Sequence, residues 1–169
     1  MELTADRFPA MTDNDIAYMQ LALEAAKRAP AIGEVPIGAV LVRDGQVLAQ
    51  AHNLREVWQD PTAHAEVVAI REAATRSGTW RLTGTTLYVT VEPCAMCIGA
   101  VILSRIDRLI FGAKDPKAGA CGSIFNLPDE RRLNHRVEVV GGVLEQESQD
   151  LLQAFFRGLR ENVEERTRQ

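Results

Sequence analysis

"TTLYVTVEPCAMCIGAVILS", residues Thr85 to Ser104, changes character halfway along. Thr85 to Val91 is an almost continuous run of β-forming residues, the pattern of a strand buried on both faces. Glu92-Pro93 breaks the run, and Cys94 to Leu103 continues as a helix. A buried strand that hands straight over to a helix belongs to a sheet with helices packed on its faces.

The flanks extend this pattern. Upstream, "TDNDIAYMQLALEAAKRA" offers Thr12 as an N-cap with Asp15 three residues later. Ile16, Met19, Leu23 and Ala26 then follow a helical period, and Pro30, Gly33 and Pro36 end the helix. "PIGAVLVRDGQVLAQAHN" reads as a β-hairpin turned at Asp44-Gly45. Residues 54–63 read as a polar loop. A helix follows from about His64 to Arg76 and stops at Ser77-Gly78. Downstream, "RLIFGA" (Arg108 to Ala113) is a strand, "KDPKAGACGS" (Lys114 to Ser123) a glycine-rich loop and "HRVEVVGG" (135–142) a fifth strand. The last helix runs from about Glu145 to Glu164. The order α-β-β-α-β-α-β-β-α, without repeat or linker, predicts one layered α/β domain over residues 13–164. A flexible lead-in over 1–12 and a frayed end over 165–169 complete the expectation.

Bulk properties narrow the function. With 169 residues, 46% hydrophobic and 25% charged, the chain can bury a sizeable core. It has no apolar run of transmembrane length and no basic-then-apolar leader, so the sequence predicts a cytoplasmic protein without a membrane partner. Three cysteines do not make a disulfide framework and suit metal or catalytic use in a reducing compartment. A net charge of −4 counts against bulk attraction to nucleic acid, so RNA binding would need a local basic patch.

Chemistry concentrates in two places. "DPTAHAEVVAIREAA" opens a helix with His64 and Glu66, and "EPCAMC" opens another with Cys94 and Cys97. A C-x-x-C pair is either a redox dithiol or a pair of metal thiolates, and a redox pair needs no histidine-glutamate element upstream. Ligands in such sheets gather where strands hand over to helices, so both helix N-termini can point at one spot. One imidazole and two thiolates balance the charge of Zn²⁺ and leave a fourth tetrahedral position open, the mark of a catalytic site. Glu66 is not needed as a ligand; beside a water made acidic by the ion it is placed to take and return a proton.

His-x-Glu followed by Pro-Cys-x-x-Cys is the known signature of zinc-dependent nucleobase deaminases. On these residues the chain resembles the cytidine/deoxycytidylate deaminase superfamily, and more closely its bacterial tRNA adenosine deaminase branch. The resemblance spans about Glu34 to Arg160, including "GEVPIGAVLV", "LIFGAKDPKAGACGS" and "LLQAFFRGLR". It implies a three-layer α/β/α fold around a central mixed five-stranded sheet, of the cytidine-deaminase type. It implies adenosine-to-inosine conversion at the first anticodon position of an arginine tRNA, with the anticodon stem-loop as partner. It also implies one Zn²⁺ per subunit, and a homodimer in which both subunits hold the anticodon loop. His64, Cys94 and Cys97 match the zinc ligands and Glu66 the proton shuttle. Asn53 matches an asparagine that hydrogen-bonds the purine, Ala65 a residue whose backbone N–H contacts the base, and Asp115 a residue near the flipped nucleotide's sugar and backbone. Lys114, Lys117, Phe155, Phe156 and Arg160 match the neighbourhood of the anticodon loop. The chain departs from the pattern in its longer lead-in, in "NLREVW" after Asn53, which lacks a proline common in relatives, and in Cys121.

Other readings stand beside these. Cys121 could close a structural zinc site as a fourth ligand, or be a small loop residue. His52 and His135 fit structural roles, and Asn53 and Asp115 could be turn formers. Lys114, Lys117, Arg131, Arg132, Arg136, Arg157 and Arg160 form either an RNA patch or a solvated surface. Phe155 and Phe156, about 100° apart on a helix, predict one core ring and one outward ring. A deaminase of free cytidine or guanine needs the same zinc site without the tail. A zinc-stabilised RNA-binding module would not need Glu66.

Overall fold

Thr12 opens the first helix through a capping box. Its hydroxyl accepts from the Asp15 amide at 3.2 Å, and the Asp15 carboxylate accepts from the Thr12 amide at 2.9 Å. The computed structural model describes residues 11–167. Residues 1–10 of the expected lead-in, and 168–169, lie outside the described residues. Helix α1 (Asp13–Arg28) lays Met19, Ala22, Leu23 and Ala26 on the sheet. Its alanines let it come close: a Cβ on Gly38 would sit 2.6 Å from the Ala26 nitrogen, so only glycine fits there.

Gly38 starts strand β1 (Gly38–Arg43), which pairs with β2 (Gln46–His52) through the expected two-residue turn. Asp44 and Gly45 both have positive φ, 51° and 75°, as the tight hairpin turn requires. Strands β3 (Thr85–Val91), β4 (Arg108–Ala113) and β5 (Glu138–Gly141) complete a sheet in the order β2-β1-β3-β4-β5. The first two pairings are antiparallel and the last two parallel, so the sheet is mixed and five-stranded.

Side chains alternate between two apolar layers. Ala39, Leu41, Leu87, Val89, Leu109 and Phe111 face helices α3 (Ala65–Ser77) and α4 (Ala95–Leu103), which contribute Val68, Ala69, Ile98 and Val101. Val40, Val42, Tyr88 and Ile110 face the other way, onto Met19 and Ala22 of α1 and Val143 just before α5 (Glu145–Thr167). The result is the three-layer α/β/α arrangement. Each fully buried Leu or Ile in these layers contributes about 2–3 kcal/mol. A polar cluster pins the second layer: Arg108 bonds both oxygens of Asp15 (2.7 and 3.1 Å) and Glu138 (2.6 Å), and the Tyr88 hydroxyl donates to Asp15 (2.9 Å).

Three details differ from the sequence expectation. Within residues 54–63 lies a four-residue helix, α2 (Arg55–Trp58), whose Val57 amide donates to the buried Glu34 carboxylate at 2.8 Å. The fifth strand is shorter than expected, because the His135 ring bonds the Ile106 carbonyl (2.7 Å) ahead of it and Gly142 turns away at φ 86°. Helix α5 runs through Thr167, past the expected end at Glu164. Among the described residues no helix is long and apolar enough to cross a membrane.

The strand registers decide where function can sit. His52 at the end of β2 pairs with Gly38, Ala39 pairs with Val89, and Val91 pairs with Ala113. The C-terminal ends of β2, β3 and β4 therefore line one rim of the sheet. Asn53, Glu92 to Cys94, and Lys114 to Asp115 all leave from that rim, where α/β sheets bind ligands.

Candidate active site

His64 and Cys94 are each the N-cap of a helix, with extended backbone (ψ 152° and 173°) before the first helical turn. This geometry aims both side chains back past the helix ends, and Cys97, one turn into α4, joins them. The His64 Nδ1 lies 3.7 Å from Cys94 Sγ and 3.5 Å from Cys97 Sγ. The three ligand atoms all lie within 4.8 Å of one another. Tetrahedral bonds of ~2.05 Å to nitrogen and ~2.3 Å to sulfur would separate such atoms by roughly 3.6 Å. The donor set thus fits a tetrahedral ion with one position left over. Cys121 is not part of the group; it sits in the next loop, with its amide donating to Glu92 Oε1 at 2.9 Å.

Electrostatics prepare the site for a cation. Hydrogen bonds from the Cys97 thiol and from His64 hold Cys94 down to about 3, although burial opposes this. The same bond to Cys94, together with burial, pushes Cys97 up. The Cys94 contact raises His64 against its own burial. The partial positive ends of α3 and α4 add to the pull on negative sulfur.

Glu66, in the first turn of α3, is 4% exposed, and its Oε2 is buried without a hydrogen-bond partner among the described residues. Burial pushes its carboxyl up to about 7. A buried orphan oxygen is costly in a protein interior and marks a place where a proton or a polar partner is expected. Asn53 faces the same helix end. Its Oδ1 accepts the Ala65 amide at 3.1 Å, which fixes the side-chain amide and leaves Nδ2 as the donor. The Ala65 N–H is engaged in that bond. His52 bonds the Asn53 carbonyl through Nδ1 (2.8 Å), a structural role.

The loop after β4 is built by two carboxylates. Asp115 Oδ1 closes its own turn by accepting the Lys117 and Ala118 amides at 2.9 and 3.2 Å. Glu92, 3% exposed, accepts the amides of Asp115 (3.0 Å), Cys121 (2.9 Å) and Ser123 (3.1 Å) and the Ser123 hydroxyl. Burial alone would raise Glu92, but these bonds hold its carboxyl below the usual range. Sequence reasoning saw Glu92 only as a strand breaker. The available signal was an acidic residue closing a buried strand two positions before a ligand cysteine.

The proposed RNA contacts separate into two places. Lys117, Phe156 and Arg160 line one open groove of about 870 Å³, together with Arg157 and apolar residues of α5. Lys114 lines a different groove, beside Cys121, Val139 and Glu145. Arg132 is paired with Glu130 at 2.8 Å. Lys117, Arg157 and Arg160 thus share one groove, while Lys114 lines another. Neither phenylalanine is core: Phe155 is half-buried and Phe156 is 44% exposed, with their rings edge to face at 5.4 Å.

Known proteins resemble this chain in sequence and fold. The family model for MafB19-like deaminases matches residues 13–160. A tRNA-specific adenosine deaminase of Bacillus subtilis is 57% identical over 150 residues, which is 89% of this chain and 92% of the relative. A structure from a study of A-to-I editing by tRNA:A34 deaminases at the wobble position superposes with a TM-score of 0.78 and 46% identity. That match covers 80% of this chain and 99% of the other. A guanine deaminase of Bacillus subtilis superposes less completely, with a TM-score of 0.58 and 36% identity over 62% of this chain and 66% of its own.

Proposed function

The chain belongs to the tRNA-specific adenosine deaminase family, and from that premise we propose which residues carry its reaction. The activity is hydrolytic deamination of adenosine 34, the wobble base of tRNA, to inosine. The substrate we propose is an arginine tRNA with adenosine first in its anticodon, met in the cytoplasm. One observation carries the assignment of residues: a His/Cys/Cys group and a buried carboxylate with one unpartnered oxygen meet at two helix N-termini.

His64, Cys94 and Cys97 would hold Zn²⁺, which suits one imidazole and two thiolates. Bound there, the ion would supply Lewis acidity that makes an attacking water easier to deprotonate near neutral pH. Glu66 takes a proton from the attacking water and delivers one to the adenine ring nitrogen. It then takes the second proton from the hydroxyl newly bonded to C6 and passes it to the amine, so that the C6–N bond breaks and ammonia leaves. Burial raises the Glu66 carboxyl from its ordinary value, the direction that suits a group that must accept and return a proton. Asn53 Nδ2 is placed to donate to the purine. The base must leave its stack to react, which an anticodon loop makes inexpensive because it is single-stranded. Asp115 holds the loop beside the flipped nucleotide. Lys117, Phe156 and Arg160 meet the RNA along their shared groove, with Arg157 alongside. Lys114 and Phe155 do not line that groove; Lys114 lines a different one beside Cys121.

A second copy of the chain is the partner we propose for α4. That helix buries Cys97, Ile98 and Val101 and leaves Met96 (36%) and Leu103 (69%) exposed on its opposite face.

Glu66→Ala tests the reading. The variant is expected to keep its metal and its fold, to form no inosine in an anticodon stem-loop, and still to bind that RNA. Binding is expected to weaken with salt, and replacing Lys117 and Arg160 to flatten the salt dependence. A Glu66→Ala protein that still makes inosine would falsify the role of Glu66.

A further inference from the structure

We propose that Glu92 is a positioning residue for this reaction: its buried carboxylate clamps the Asp115–Ser123 loop onto the turn that carries Cys94. The proposal rests on the RNA-deaminase reading of the site.

The geometry is unusual for a residue that only ends a strand. The two Glu92 oxygens collect donors from both ends of one loop. Oε2 takes the Asp115 amide (3.0 Å) and the Ser123 hydroxyl; Oε1 takes the Cys121 and Ser123 amides (2.9 and 3.1 Å). An isolated buried carboxylate is expensive, and here the offset comes from one loop that lies between a ligand cysteine and the groove. Around the clamp the two segments are tied by backbone. The Ala120 amide donates to the Pro93 carbonyl at 2.8 Å, and Cys94 pairs with Gly119 as an isolated bridge. Gly119 is required there, because a Cβ would sit 2.6 Å from the Asp115 carbonyl oxygen and against the Glu92 carboxylate. Asp115 and Lys117 leave directly from this clamp, and Lys117 reaches the groove. Glu92 thus fixes the distance between the ligand turn and the RNA-facing side of the loop. It touches neither the ion's ligand atoms nor the groove.

Glu92→Gln separates positioning from general stability. A glutamine can keep the Cys121 and Ser123 amides on its oxygen, but its NH₂ cannot accept from the Asp115 amide. One end of the loop is then released. The metal content of Glu92→Gln is expected to be unchanged. KM for an anticodon stem-loop is expected to rise about tenfold or more, with kcat within about threefold. Gly119→Ala pushes the loop off the same carboxylate without removing its charge and is expected to give the same split. Ser123→Ala removes one of the four bonds and gives a smaller rise. If Glu92→Gln does not fold, the other two variants read the same quantity. A KM equal to that of the parent protein, or a loss of kcat that only tracks lost metal, would overturn the proposal. Failure of the parent protein itself to act on the stem-loop would instead overturn the RNA reading.

Discussion

Glu66 carries a conflict between stability and chemistry. Its folded-state carboxyl is raised from 4.5 to about 7 by burial, so the folded chain holds a proton that the unfolded chain releases earlier. In metal-free protein its contribution to stability is therefore fully present below pH 4.5. It is lost as pH rises through about 7. At pH 8 the cost of the buried carboxylate reaches up to roughly 3 kcal/mol. Glu66→Gln, which does not titrate, is expected to melt higher than the parent protein at pH 8 and about equally at pH 4 when both are metal-free. Thermal melts after chelation check this, and a gain that is larger at acid pH would contradict it. Metal loading should shrink the difference, because a cation beside the carboxylate favours its charged form. At this level the site was readable from sequence: His64, Glu66, Cys94 and Cys97 are residue types that little else demands in that spacing. Glu92 was legible only as an acidic residue closing a buried strand; its partners were not, because three of the four are backbone amides of residues 115–123, which leave no trace in residue identity.

The elements explain why four side chains from distant stretches meet. Helices α3 and α4 both start at the rim where β2, β3 and β4 end, so two N-caps and two helix dipoles converge. Thr12 with Asp15 and Asp44 with Gly45 declared a helix start and a hairpin turn correctly, since both signals are local. Helix α2 escaped the sequence because it is held by Glu34, 23 residues before Val57. Helix α4 carries its own prediction. Leu103 is 69% exposed, so Leu103→Glu should leave the monomer's melting temperature nearly unchanged. If this face meets a second copy, the same substitution should shift the protein from dimer to monomer in sedimentation. A dimer that persists in Leu103→Glu would move the interface elsewhere.

Taken whole, the molecule is a sheet that delivers three strand ends to one rim, with apolar layers holding helices on both faces. The layers were legible from the alternation of strands with helices along the chain and from the continuous apolar run of β3. The strand order was not, because it depends on pairings between segments far apart in the chain. The Asp15–Arg108 ion pair, which ties α1 to β4 across 93 residues, is a further case. The acidic bulk, with a net charge of −4, also hid a groove in which Lys117, Arg157 and Arg160 stand together. The first experiment is inosine formation by the metal-loaded protein. Its substrates are an arginine tRNA anticodon stem-loop with adenosine at the first position and, in parallel, free adenosine, cytidine and guanine. Inosine in the stem-loop with the free compounds unchanged is the expected result. An untouched stem-loop beside turnover of a free compound would contradict it and turn the groove and the clamped loop to another use.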